Sequence, residues 1–384
     1  MSKVCFLSTV HDDTNTRVFH REAVALANAG YDVTYYTPRA TTRNQNGVKI
    51  KKPGFVDWRI FEHTPMLINR LIFSLLLFYF ASKDADYDVY HFHDPELLPS
   101  GFITTYFIEG KFVYDAHENA SEAVKHKEWA GDIAATILSF ALKLNNRICT
   151  TRMDGIITAA NDIESVFDHH DNVVVVNNFP KEKWAYLDYE PRETEKLQIV
   201  YSGLLTENRG ILTTIEAVKS LPPEVNVVLK LAGNCDSDNM RKQIEQAAMG
   251  SNRIEYLGYL PTIEDVFKLF YDSDVGIFCF HSDAINLEYG AYRSNKLFEY
   301  MCANLAIIVS SIGNWPEIIN EHDCGIAVKP EVSNIRDGIT FLYNHPSRRK
   351  SLGENGRVTA LSKFTWESQE ELLIQFYEDI INKC

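Results

Sequence analysis

The sequence has no C-x-x-C pair. Its seven cysteines, Cys5, Cys149, Cys235, Cys279, Cys302, Cys324 and Cys384, are scattered. That spacing argues against a disulfide framework or a cysteine zinc site and suits reduced, mostly buried thiols. No apolar run is long enough to cross a bilayer. The longest, Leu71 to Ala81, falls well short of the roughly 20 residues a spanning helix needs. No G-x-G-x-x-G follows the first predicted strand, which removes most of the support for a dinucleotide oxidoreductase. Positive charge is scarce: 38 Lys and Arg stand against 52 Asp and Glu, a net charge of -14. A general nucleic-acid binder would usually be basic. There is no internal repeat and no low-complexity tract. Met1-Ser2-Lys3 leads straight into a predicted strand, so no secretory signal is expected and the chain reads as cytoplasmic.

What is present is an ordinary globular composition, 45% hydrophobic, over 384 residues, which implies two domains. The first half alternates short apolar strands with helical spacing. Strands are predicted at Val4–Val10, Tyr31–Thr37, Val48–Lys52, Val89–His93, Phe112–His117, Gly155–Ala159 and Val173–Asn177. Helical patterns lie at Thr16–Ala29, Leu67–Ser82, Pro95–Ile108 and near Ser121–Cys149. Strand, helix, strand at this spacing gives βαβ units and a parallel sheet. After a polar linker a second series follows, with strands at Gln198–Ser202, Asn226–Ala232, Ile254–Leu257, Val275–Phe280, Ala306–Ser310 and Gly325–Val328. The expected organisation is a Rossmann-like domain at 1–180, a linker at 181–196 and a second Rossmann-like domain at 197–365. A final helix at 366–384 would pack back towards the first domain.

The richest stretch is Tyr292 to Asn304, YRSNKLFEYMCAN. A polar run, Arg293-Ser294-Asn295-Lys296, opens an apolar helix pattern of Leu297, Phe298, Met301 and Leu305. Free backbone N–H groups at such a helix start make an anion site. Glu299 lies one turn further in, where a carboxylate can accept two hydrogen bonds from a ribose diol. The stretch also reads as a buried helix with a capped start. Upstream, Gly203 to Gly210, GLLTENRG, follows a predicted strand. Arg209 there precedes a helix start, well placed to hold a diphosphate bidentately; it also reads as a solvated arginine.

These segments together resemble the GT-B glycosyltransferases of the large retaining family 4. A K-L-F-E-Y-M type run there precedes an apolar strand and a G-x-x-P-E turn, here Gly313-Asn314-Trp315-Pro316-Glu317. His91-Phe92-His93-Asp94-Pro95-Glu96-Leu97-Leu98-Pro99 and Val113-Tyr114-Asp115-Ala116-His117-Glu118 resemble the family's N-terminal half. The likeness runs in order through nearly the whole chain. It implies an α/β fold of two doubly wound Rossmann-like domains facing a cleft. Gly203, Arg209, Ser294, Asn295, Lys296 and Glu299 would bind the donor, with Lys296 either a phosphate contact or a surface lysine. His117 would touch the donor sugar near the reacting carbon and, with Arg209, count as catalytic. The first loop, His11 to Arg17, would face the acceptor and the donor phosphate.

The sequence also departs from that pattern. The family often has a basic residue directly after the first glycine of the phosphate loop; here it is Leu204. The family's first glutamate, eight positions before Glu299, is Ala291, and Glu288 lies three residues earlier. Asp94 reads as an N-cap, with Pro95 at the first helical position. Glu96, Glu118 and Arg17 are acceptor-side candidates. Arg17 and Arg21 lie about one turn apart, and either bind a charged acceptor or lace the helix surface with Glu22. His91 and His93 share a strand face and, with His117, could geometrically hold zinc. No H-x-x-x-H or cysteine pair reinforces such a site, so no metal and no cofactor are expected. Asp84-Ala85-Asp86-Tyr87-Asp88 reads as a solvated turn.

The expected activity is a retaining, metal-independent hexosyl-type transfer from a nucleotide-diphosphate sugar, UDP favoured over GDP, to a glycan or lipid-linked acceptor. Bacterial surface-polysaccharide or glycoconjugate synthesis is the expected setting. Residues 39–83 carry eight cations against two acids, a net +6 beside the apolar run. That suits peripheral contact with the inner face of an anionic membrane, and equally a core helix flanked by basic loops. Other classes left open are a GT-B-like sugar-nucleotide epimerase or hydrolase, and a non-catalytic partner subunit.

Overall fold

In a computed structural model, the residues described are 1–53, 66–117, 119–124, 132–190, 194–281, 292 and 294–382. The chain forms two units, Met1–Asn178 with Ser368–Cys384, and Phe179–Glu367.

In the first unit, β1 (Lys3–Leu7) is followed by a π-helical turn (Val18–Ala23) that runs into α1 (Val24–Asn28). Then come β2 (Asp32–Tyr36), β3 (Arg43–Gln45), β4 (Val48–Lys51), α2 (Met66–Asp84), β5 (Val89–Phe92) and α3 (Leu97–Thr104). β6 (Lys111–Ala116), α4 (Ala120–Ala123), α5 (Asp132–Thr150), β7 (Gly155–Thr158), α6 (Asn161–Glu164) and β8 (Val173–Val175) complete the series. The strand order is β3-β4-β2-β1-β5-β6-β7-β8, parallel except for β3 against β4. Val4, Cys5, Phe6 and Leu7 of β1 are all fully buried, as a parallel strand covered on both faces requires.

Alternation along β5 sorts the covering helices. Phe92 packs against Phe78 of α2, with ring centroids 5.4 Å apart, and against Gly101 of α3. His91, on the other face, bonds the Tyr377 hydroxyl of the C-terminal helix α14 (Trp366–Asn382). A Cβ at Gly155 would lie 2.5 Å from Phe376, so this glycine lets α14 seat on β7. β2 and β5 flank β1, so the chain reverses direction across the sheet beside β1, where open α/β sheets form ligand crevices.

In the second unit, β9 (Leu197–Ser202), α7 (Ile211–Lys219), β10 (Val227–Ala232), α8 (Asp238–Met249), β11 (Ile254–Gly258), α9 (Ile263–Tyr271) and β12 (Val275–Phe278) alternate. They are followed by α10 (Asn295–Cys302), β13 (Ala306–Ser310), α11 (Trp315–His322), β14 (Gly325–Val328), α12 (Val332–Asn344) and α13 (Pro346–Lys363). All strands pair in parallel, in the order β11-β10-β9-β12-β13-β14. The reversal here lies between β9 and β12.

Four local expectations change. β3 is too polar to read as a strand; it is held by the Asn46-Gly47 turn, both residues at positive φ (50° and 79°), a hairpin signal in its own right. The helix expected at Thr16–Ala29 begins as a π turn, a form common at functional sites. The stretch expected as a linker, 181–196, belongs to the second unit. Ala185 is buried in that core and Trp184 stacks on Phe267 at 5.6 Å. Of the helix expected near Ser121–Cys149, α4 and α5 are seen, and 125–131 lie outside the described residues.

Candidate active site

In the second unit the site grows from the end of β9. Gly203 has φ +136° and Gly210 φ +70°, conformations that L side chains rarely adopt. A Cβ on Gly210 would overlap the Cys279 carbonyl after β12, so glycine lets the loop close against its neighbour before α7 starts. Tyr201 pins the loop by donating its hydroxyl to Leu204 O at 2.9 Å. Two cations converge on Gly203. A Cβ there would sit 2.6 Å from Lys296 Nζ and 3.7 Å from an Arg209 guanidinium nitrogen. Lys296 lies over the Tyr201 ring at 5.5 Å, and Arg209 over Phe280 at 5.6 Å. Neither cation has a carboxylate within ion-pair distance among the described residues.

Lys296 belongs to the first turn of α10. Ser294 is the N-cap, with extended backbone and no side-chain cap bond, so among the described residues the first N–H groups of α10 have no side-chain cap. Glu299 lies one turn in, partly exposed. Burial and the Arg209 charge push Lys296 down to about 8, with Glu299 acting in the opposite direction. Two like charges held together over a helix start is an arrangement that a polyphosphate would relieve.

In the first unit, the ends of β1, β5 and β6 bring a second set together. His91 pairs in register with Val113, so His93, Asp115 and His117 continue along one face of adjacent strands. Asp115 is the hub. It accepts from Arg17 Nε (3.1 Å) and Nη2 (2.9 Å), and lies 3.0 Å from His93 Nδ1 and 2.9 Å from His117 Nε2. Arg17 is 5% exposed and also donates to Val176 O at 2.6 Å. Glu22, from the π turn, lies 2.9 Å from Arg17 Nε. Burial opposes charge on Asp115, but Arg17 and His117 hold its carboxyl well below the usual range. Burial pushes Glu22 well above its usual value, against the pull of Arg17 and with the push of Asp115. Burial also holds His91 and His93 neutral-leaning, with lowered pKa, although Asp115 favours their charge.

A neighbouring pocket of about 450 Å³ is lined by Val10, His11, His93, Asp94, Pro95, Glu96 and His117. His117 is the catalytic candidate that reaches it, 21% exposed. A larger space of about 830 Å³, lined by Asp86, Asp88, Gly110, Lys111 and Asp154 among others, lies at the opposite, N-terminal ends of β5–β7. Ligands of open α/β sheets bind at the carboxyl ends, so the smaller pocket is the one at the chemically equipped edge.

Ligand atoms of Glu22, His91, His93 and Asp115 lie within 4.8 Å of one another. Arg17 already supplies a cation to both carboxylates there, so a divalent ion would have to compete with a buried guanidinium.

Residues 182–359, nearly all of the second unit, match the family model described as glycosyl transferases group 1. That unit is thus similar to the glycosyl transferases group 1. An uncharacterized glycosyltransferase of Methanocaldococcus jannaschii is 21% identical over 378 residues, 92% of this chain and 89% of the relative. The capsular polysaccharide biosynthesis glycosyltransferase CapM of Staphylococcus aureus is 21% identical, over 64% of this chain and 63% of the relative. Among solved structures, sucrose-phosphate synthase of Thermosynechococcus elongatus superposes with TM-score 0.76 at 15% identity, covering 100% of both chains. Anabaena HepE in complex with UDP-glucose gives 0.68 at 12% identity, covering 99% of this chain and 100% of that one. The fold is GT-B.

Within this fold, Gly203, Arg209, Ser294, Asn295, Lys296 and Glu299 gather at the β9 and α10 ends of one unit. His117 and Glu96 gather in the other, where Thr9 donates to Glu96 at 2.8 Å. Arg17 differs from its expected acceptor-side role: its guanidinium is buried and bonded to Asp115, Val176 and Asn178. Asp94 does not cap α3. Its carboxylate accepts instead from Ser8 Oγ (2.9 Å) and from Thr9 N (2.6 Å), because β1 ends beside it. Glu118, Ala291 and Glu288 lie outside the described residues. Sequence reasoning missed Asp115 as a hub and Glu22 as its neighbour. The signal was there in Asp115-x-His117 beside His91-x-His93, two i, i+2 pairs on adjacent strands.

Proposed function

We propose that this chain is a retaining, metal-independent glycosyltransferase that moves a sugar from a UDP-sugar to a glycan or lipid-linked acceptor. The observation that carries this is the convergence of Arg209 and Lys296 on Gly203, at the start of the helix that bears Glu299. Two cations and helix-start amides suit a diphosphate, and a carboxylate one turn on suits a ribose diol. Lys296 offsets the loss of the basic residue replaced by Leu204. UDP is favoured over GDP, and HepE, with UDP-glucose in its solved complex, has the same fold.

Little is asked of a conventional nucleophile. The bond from the anomeric carbon to the β-phosphate oxygen breaks, and UDP leaves with the electron pair. Arg209, Lys296 and the α10 amides stabilise that developing charge. The acceptor oxygen bonds the anomeric carbon on the face UDP leaves, and its proton passes to the departing phosphate oxygen. His117 touches the donor sugar and is oriented by Asp115. Surface-polysaccharide or glycoconjugate synthesis is the setting we favour, given the similarity to CapM. Peripheral membrane contact through 39–83 would bring a lipid-linked acceptor to the enzyme.

The test is the product. NMR of its anomeric proton and carbon should show the donor's configuration, and His117→Ala should slow transfer severely while UDP still binds. An inverted linkage would sink the retaining mechanism and make a general base of His117 or a neighbouring carboxylate the next hypothesis.

A further inference from the structure

Helices α2, α3 and α5 pack side by side on one face of the first unit's sheet. A surface helix normally turns its apolar stripe inward. α5 has an inward stripe, with Ala135, Ser139, Asn146 and Cys149 buried, and an apolar outward one as well. Ile133 (80% exposed), Ile137, Phe140 (68%), Leu144 and Ile148 recur every three or four residues and face outward together. α2 repeats the arrangement with Ile72, Leu75 and Tyr79 exposed, while Phe73, Leu77 and Phe78 are buried. Between them, Ile103 of α3 and the following Tyr106 and Phe107 (81% exposed) continue the surface. Apolar surface spread over three adjacent helices marks an interaction site.

Its charge names the partner. α5 and the residues just after it carry Lys143, Arg147 and Arg152 against one acid, Asp132 at the helix start, in a chain of net charge -14, and Lys143 also pairs with Glu122 at 3.1 Å. Arg152 lies over the Tyr106 ring at 4.6 Å, and Lys83 over Tyr79 at 5.8 Å, so cation and aromatic sit together at the rim, as at a membrane interface. A second copy would bring the same cations face to face. Among the described residues no helix is long and apolar enough to cross a membrane. α5 spans 19 residues, about 28 Å at 1.5 Å per residue, long enough to lie along a bilayer surface.

We infer that the outward face of α2, α3 and α5 is a docking surface for an anionic lipid bilayer. It holds the protein peripherally, with Phe140 and its neighbours in the acyl boundary and Lys143, Arg147 and Arg152 among the headgroup phosphates. This deepens the membrane contact proposed above and moves its centre from the basic segment to α5.

The experiment is vesicle flotation of the full chain, with phosphatidylcholine alone and with phosphatidylcholine mixed with phosphatidylglycerol. The wild type should float with the mixed vesicles and much less with phosphatidylcholine. Ile137→Ser with Phe140→Ser should lower partitioning about tenfold or more. Lys143→Gln with Arg147→Gln should remove most of the preference for anionic lipid. Urea unfolding of each variant, unchanged from wild type, shows the first unit intact, and UDP titration reads the donor site of the second unit separately. Wild type that stays in solution, or serine variants that float equally well, would overturn the docking surface. So would a dimer in light scattering that the serine variants split. Because UDP binding is read separately, failure here leaves the donor site standing, and loss of UDP binding leaves the docking surface standing.

Discussion

Replacing Asp115 by Asn tests the polar hub of the first unit. The side chain keeps its shape but loses the charge that holds two Arg17 bonds, at 3.1 and 2.9 Å, and the contacts to His93 and His117. Removing one partner of a buried ion pair costs about 3–5 kcal/mol. Glu22 offsets part of this. Burial and the Asp115 charge hold its pKa high, so without Asp115 it ionises more readily beside Arg17. The expected loss is therefore at the lower end, about 3 kcal/mol. The pH dependence has a definite sign. The folded pKa of Asp115 lies well below its ordinary value, so its stabilisation is full above the ordinary carboxyl range. It is lost as pH falls through the folded value, and Asp115→Asn removes that part of the acid-side slope. Urea unfolding by circular dichroism, with hydrogen exchange on β6 peptides, measures the change. The double variant with Arg17→Met should cost less than the two single losses added. Unfolding free energy unchanged to within about 0.5 kcal/mol would refute the hub, since a surface position behaves that way.

The donor side yields three more expectations. Glu299→Ala should weaken UDP binding by about 1–3 kcal/mol if a charged bond to the ribose is lost; equal calorimetric affinity in a folded variant removes Glu299 from that role. Arg209→Ala should lower kcat more than it raises KM, because phosphate charge develops as the bond breaks; a change in KM alone would mean uniform binding. Burial and Arg209 push free Lys296 down to about 8, and a bound diphosphate restores its proton. UDP affinity should thus be level below that pH and fall above it, by up to about tenfold per unit; Lys296→Met should flatten the profile.

The fold was legible because both halves alternate buried β-runs with helical spacing, and parallel strands must read that way. β3 was not, because Arg43-Asn44-Gln45 carries no apolar pattern and is an edge held by its turn. The donor site was legible because its parts are short and contiguous: Gly203 to Gly210 is one loop and Ser294 to Glu299 one helix start. That Lys296 reaches Gly203, 93 positions away in the chain, follows only from β9 and α10 meeting. The Asp115 hub was harder to read for the same reason, with only the two i, i+2 pairs on adjacent strands to signal it. Arg17 and Glu22 come from the N-cap and body of the π turn, His93 from the end of β5 and Asp115 from β6, and Arg17 reads from sequence as an acceptor contact or a helix-surface partner of Glu22. The outward apolar stripe of α5 is invisible to periodicity alone, which reports amphipathic spacing but not which face is buried.

The donor site in the second unit is the foundation of the functional reading. Calorimetric titration of UDP and of uridine into the full chain, both with excess EDTA, tests it most directly. The expected result is one UDP site that Arg209→Ala weakens, with uridine far weaker because Arg209, Lys296 and the α10 amides have no phosphate to hold. Equal affinity for UDP and uridine, or UDP binding that vanishes with the metal, would contradict it.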